Sequence, residues 1–269
     1  MSFRTPPLAQ RLREQAGLTK NMRRIRRLLL PASALLLLSA CSAAPAAEES
    51  PAASSAALCR PPEGVSGSPR TIEEAVTLLN ALPKPTSVAC FLESLDRPLQ
   101  AIATRNIVSA QPAFSAVSPR IFLRHGQLVL SVVPEGEGSH LLEFSYLLEG
   151  DTRSIKAELA LPLTGPVPAS APYEHVLPTD PVGLARGGTV CGGCHAHEER
   201  VQSIGFASAF SSVAFRPNPS FQVSLETLAA EQKSCDRAAQ PDRCAILTAL
   251  FGHGAVTPAD FPSAMVIFN

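Results

Sequence analysis

Apolar and polar residues alternate with a period of two through much of residues 88–163, the pattern of strands with one buried face. Ile155, Ala157, Leu159 and Leu161 alternate with Lys156 and Glu158, which sends one set toward a core and the other toward water. The runs Ile121–Leu123, Leu128–Val133 and Leu141–Leu148 are parted by His125-Gly126, by Pro134 to Gly138 and by Glu149-Gly150-Asp151, turn residues at hairpin spacing. With further strands at Val88–Leu92 and Leu99–Ala103, about five or six strands predict a small antiparallel β-sandwich. His125 and His140 lie at or beside the turns and are expected in solvent.

Helical signals flank this region. Thr71-Ile72-Glu73-Glu74 is a capping box, followed by Val76, Leu78 and Leu79 at helical spacing and stopped before Pro83 and Pro85. Ser224 caps a second helix from Leu225 to about Ser234. Pro241 opens a third, which carries Ile246, Leu247, Leu250 and Phe251 and ends at Gly252. Pro162 to Pro181 is proline-rich and reads as a crossing segment that includes His175.

The first forty residues change the charge picture. They hold eight basic residues and one acidic residue of the chain's 23 and 23, so residues 41–269 carry 15 basic and 22 acidic side chains. A nucleic-acid partner is therefore not expected, because phosphate binding needs clustered Lys and Arg. From Met22 the chain has the parts of an export signal: Arg23, Arg24, Arg26 and Arg27, then an apolar run from Leu28 to Leu38, then small residues. That run falls short of the roughly 18 residues a membrane-spanning helix needs. Leu38-Ser39-Ala40-Cys41 resembles the lipobox of bacterial lipoproteins. The resemblance implies cleavage before Cys41, a diacylglycerol on its sulfur, and a membrane partner reached through that lipid. It also implies an envelope location facing the periplasm, with Ser42 favouring the outer membrane over the inner. Residues 42–57, rich in Ala, Pro, Ser and Glu, read as a flexible tether.

In an oxidising compartment, paired cysteines close disulfides. Cys59 and Cys90 flank the first helix, and Cys235 and Cys244 bracket the turn between the last two; each pair is expected to be bonded. Cys191-Gly192-Gly193-Cys194-His195 differs: it is the C-x-x-C-H pattern of covalent haem attachment. Two thiols at that spacing reach the two vinyl groups on one porphyrin edge, and the next imidazole ligates the iron. Two other uses of the same residues stay open. One is a Cys191–Cys194 disulfide in a haem-free structural or interaction lipoprotein. The other is a metal or thiol-redox site using Cys191, Cys194, His195 and His197, or a four-thiolate zinc site with Cys235 and Cys244.

CGGCH, followed about seventy residues later by Met265, resembles a class I cytochrome c unit over residues 181–269. That resemblance implies one covalent haem c, with His195 as proximal ligand and Met265 as the sixth. It also implies electron transfer to a redox partner protein, with no substrate. His197 and His253 are rival ligands. The sequence departs from the family in lacking an aromatic residue before the motif and a Gly-Pro-x-Leu turn after it. Trp is absent, so phenylalanines such as Phe215, Phe221 and Phe261 must build any pocket, or share one with the sheet. No G-x-S-x-G, HExxH or Gly-rich phosphate loop occurs, so hydrolase and kinase chemistry are not expected.

The expected fold is α+β, a small antiparallel β-sandwich followed by a mainly helical C-terminal cytochrome c-like module. Its parts are a leader (1–40), a tether (41–58), a β-rich domain with one N-terminal helix (59–165), and a proline-rich connection with the helical CxxCH module (166–269).

Overall fold

The computed structural model describes residues 58–105, 111–148 and 152–268, leaving aside the side chains of Leu184, Ala185 and Phe268. The expected export signal, the expected lipidation at Cys41 and the expected tether up to residue 57 lie outside the described residues. Among those described, no helix is long and apolar enough to cross a membrane.

The alternating runs become an antiparallel meander. Strands β1 (Leu99–Thr104), β2 (Arg120–His125), β3 (Leu128–Val132), β4 (Leu141–Leu147) and β5 (Arg153–Ala160) pair in chain order. Their registers place Ile121, Leu130, Phe144 and Ala157 on one face and Phe122, Ser131, Glu143 and Glu158 on the other.

Among the described residues no second sheet packs on the apolar face, and the sandwich expectation is overturned. Helices cover the apolar face instead: α1 (Ile72–Ala81), α2 (Val88–Glu93), α5 (Leu225–Ser234) and α6 (Pro241–Phe251) pack Leu78, Leu79, Phe91, Leu228 and Leu250 against Leu123, Leu130 and Phe144. Thr71 and Ser224 cap α1 and α5 with their hydroxyls, accepting from the N–H groups of Glu74 and Thr227. Val88–Leu92, expected as a strand, is the helix α2, because Ser87 Oγ accepts from Cys90 N–H and caps it.

The helical C-terminal module is overturned as well. The segment after the meander supplies strands that extend the sheet at both edges. On one side β7 (Phe210–Val213) pairs with β5, and β6 (Glu199–Arg200) pairs with β7; on the other β9 (Gln222–Val223) and β10 (Val256–Pro258) join β1. The mixed sheet thus has nine strands, with β10-β1-β2-β3-β4-β5-β7-β6 as its path and β9 beside β1. Each added strand is two to four residues long, too short for a periodic signature, yet satisfies backbone groups that an edge would leave open. A separate parallel pair joins β8 (Phe215–Pro217) to β11 (Val266–Phe268). Two short helices, α3 (Ala171–His175) and α4 (Pro181–Arg186), lead into the cysteine loop. The described residues fall within one compact unit.

Disulfides join Cys59 to Cys90 and Cys235 to Cys244. The first ties the chain before α1 to α2 and the second ties the end of α5 to α6, so both staple the helix-covered face. The second also removes Cys235 and Cys244 from any four-thiolate zinc site.

Candidate functional site

Thr189 opens the loop that carries the cysteines. Its hydroxyl accepts from Cys191 N–H at 3.1 Å and caps one turn of 3₁₀ helix, Val190–Gly193. The backbone N–H groups of Cys194 and His195 then donate to Cys191 O at 3.1 and 2.8 Å. Glu198 clasps this turn from below, taking Thr189 N–H at 2.8 Å on one carboxylate oxygen and the Thr189 hydroxyl on the other. Gly188 and Gly192 let the carboxylate come that close, since a Cβ would stand 2.3 Å or 2.4 Å from Glu198 Oε2.

The chain beyond is clipped to the sheet. Arg153 on β5 donates to His197 O and Ser211 O at 3.0 Å and pairs with Glu199 at 3.1 Å, and Val213 N–H reaches Ala196 O. That clip lays the His195 ring on β7, with Nδ1 2.8 Å from Val213 O. A carbonyl only accepts, so Nδ1 carries the proton and Nε2 keeps a lone pair. Nε2 has no hydrogen-bond partner among the described residues. Burial, followed by the charge of Lys156, pulls the imidazole down to about 4, so the ring is neutral at ordinary pH.

Cys191, Cys194 and His195 face a cavity of about 560 Å³, within the range of small-molecule sites. Its floor is the face of the sheet opposite the helices. Lys156 and Glu158, expected in water, form part of that floor with Arg120, Ser131 and Glu143. The floor is charged but largely paired. Arg120 bridges to Glu143 and donates Nε–H to Ser131 Oγ at 2.7 Å, while His175 lies 2.9 Å from Glu158. Glu143 and Glu158 stand directly opposite each other on β4 and β5. Burial and that facing carboxylate raise the Glu158 carboxyl, and His175 opposes the rise. Lys156 keeps partial solvent contact, which its place in the lining assigns to the cavity; dense packing around the ammonium brings it down to about 8.

Phenylalanines and Met265 supply apolar wall. Phe215 lies 5.2 Å from the His195 ring, and Phe122 meets Phe261 edge-on at 5.1 Å. Met265 is 4% exposed and packs with Val129, Leu147 and Ala214, so it serves both as filler of a small core and as cavity lining. Phe114, Val190 and Phe221 line the cavity while being 71%, 61% and 45% exposed, an apolar rim partly open to solvent.

Cys191 and Cys194 are free thiols, so the Cys191–Cys194 staple is absent. Burial pushes the Cys191 thiol up to about 11, the reverse of what a thiol-redox nucleophile requires. Among the described residues, no group of three or more His, Cys, Asp or Glu side chains is placed to hold a metal ion. His197 is exposed and lies outside the cavity lining, and His253 sits 3.4 Å from Glu93 beside α2. Neither rival ligand joins His195. His125, expected in solvent, is mostly buried beside Arg70, whereas His140 is exposed.

A porphyrin fits this donor set: two thiols, an imidazole with its far nitrogen already anchored, and a thioether share one partly apolar cavity. Sequence reasoning missed the sheet's contribution, Arg120, Glu143 and Lys156, and missed Arg105, Arg216 and Glu198. The alternation of polar residues along β2 to β5 was the available signal for the floor; Glu198 offered none. No protein-family model, no curated protein and no solved structure matches the chain.

Proposed function

We propose that the chain carries one covalent haem c, bonded through Cys191 and Cys194 and ligated by His195, with Met265, which lines the same cavity, as the further ligand. The observation that carries this reading is the sharing of one cavity by two unbonded thiols and a neutral histidine whose Nδ1 is fixed on a backbone carbonyl. Such haem supplies a one-electron redox centre. His195 offers Nε2, and Val213 O fixes its orientation. Glu198 holds the loop that sets both thiols, and the phenylalanines would supply apolar wall against the porphyrin. The site belongs to a sheet rather than to a cytochrome c-like helical module. With Cys41 lipidated, the protein is an envelope-anchored, periplasm-facing electron carrier that docks a redox partner protein.

The test is an absorbance spectrum of the processed protein, made in a host with haem-attachment machinery and reduced with dithionite. A denaturing gel stained for haem peroxidase activity accompanies it. A sharp reduced α-band and stain that survives denaturation are expected, with the stain lost in Cys191→Ala/Cys194→Ala. Met265→Ala is expected to keep the stain and shift the spectrum. A colourless protein overturns the reading and leaves a disulfide-stapled binding lipoprotein.

A further inference from the structure

Charge is distributed unevenly around the cavity. Its lining contains four cationic side chains, Arg105, Arg120, Lys156 and Arg216, against two carboxylates, Glu143 and Glu158. This excess stands out in a chain whose residues 41–269 hold 15 basic and 22 acidic side chains. Arg120 has Glu143 as its counter-ion, as Arg153 has Glu199 and Arg243 has Glu231. Arg105 and Arg216 have no carboxylate partner among the described residues.

Both are nonetheless held in place. The Arg105 guanidinium lies over the Phe221 ring at 5.9 Å, and its backbone N–H donates to Phe221 O at 2.9 Å. Arg216 donates Nε–H to Met265 O at 3.0 Å. That single bond leaves the Nη atoms of its guanidinium without a partner among the described residues. β9 brings the two segments together by pairing Gln222 with Thr104, next to Arg105. Arg105 is exposed and Phe221 half-exposed, which marks this side as the cavity's outer end. An arginine stem fixed by stacking or by one bond, with its remaining donors free, suits a planar carboxylate.

We infer that Arg105 and Arg216 form a carboxylate-binding end of this cavity, which selects an occupant with an apolar body and anionic groups at one edge and fixes the direction it faces. In its specific form this rests on the haem reading, and the groups bound are then the carboxylates of the haem.

The test uses the mature chain carrying Cys191→Ser and Cys194→Ser, so that haem associates reversibly, titrated with haem and with haem dimethyl ester and followed by absorbance. Haem is expected to bind at least tenfold tighter than the diester. Arg105→Gln/Arg216→Gln, checked for an unchanged unfolding midpoint, is expected to abolish that preference, and Arg105→Lys/Arg216→Lys to restore part of it. Tight haem binding with the preference unchanged in the glutamine variant, or with no preference in the parent, overturns the carboxylate site and leaves the haem reading standing. If neither porphyrin binds, the haem reading fails, and a fluorescent fatty acid and its methyl ester decide the inference. An arginine-dependent preference for the free acid upholds the carboxylate end, and its absence overturns that too.

Discussion

The two faces of the sheet use the same strands and differ at every second residue. On the helix-covered face, Ile121, Leu123, Leu128 and Leu130 are fully buried, the neighbouring helices are stapled by both disulfides, and the packing is that of an ordinary core. On the other face, Arg120, Glu143, Lys156 and Glu158 line a cavity beside two free thiols. The main core therefore lies on one face and the candidate site on the other, and alternation along each strand allows both to be set independently.

The sharpest way to break this contrast is to cut each face in turn. Leu123→Ala is expected to cost about 2–5 kcal/mol, because a fully buried leucine leaves a cavity behind. Ser145→Ala, on the cavity floor, is expected to stay within about 0.5 kcal/mol. Urea unfolding of both variants measures the difference, and equal losses would mean that the cavity face is packed like the core.

The cysteines give the second test. Removing Cys59–Cys90, which closes a separation of 31, should cost about 3–4 kcal/mol, and removing Cys235–Cys244, with a separation of 9, about 2–3 kcal/mol. In the haem-free, unreduced protein an alkylating reagent followed by mass spectrometry should mark, among these six cysteines, only Cys194 and Cys191. Cys194, being exposed, should react about ten times faster near pH 8 than Cys191, whose thiol is held at about 11. Labelling of the four helix-face cysteines would contradict the division.

The smallest effect is in pH. His125 points to the helix face, where burial, and after it Arg70, lowers the imidazole from its ordinary 6.5 to about 4. Between those values the unfolded chain binds the proton and the folded chain does not. Stability is thus complete above pH 6.5 and falls as pH drops toward 4, by on the order of 1 kcal/mol for this partly solvated group. His125→Gln should flatten the pH dependence of the unfolding midpoint between pH 6.5 and 4; an unchanged slope would show that His125 titrates alike in both states.

The local rules were legible wherever a cap or a period carried them. Thr71, Ser224 and Pro241 start the helices they promised, and the alternating runs are the strands of the meander. Val88–Leu92 misled because a short apolar run suits a buried strand and a buried helix equally, and Ser87 decides between them. Alternation also tells which residues share a face without telling what lies above it. Lys156 and Glu158 were correctly set apart from Ile155 and Leu159, but the loop and strands that roof them come from residues 190–265. The cysteine motif was legible because five adjacent residues carry it. Arg105 and Arg216 were not, since only the pairing of β9 with β1 and the bond of Arg216 to Met265 O place them at one end.

The carboxylate clasp under the cysteine turn also limits how this loop can vary. A side chain at position 193 meets no atom within 4 Å, whereas one at position 192 collides with Glu198 at 2.4 Å. A library randomised at both positions and screened for folded, thiol-bearing protein would recover nearly any residue at 193 and a bias toward glycine at 192, where a larger residue pushes the Glu198 carboxylate off Thr189. The two x positions of C-x-x-C-H, interchangeable in the motif as written, would here differ in sequence entropy.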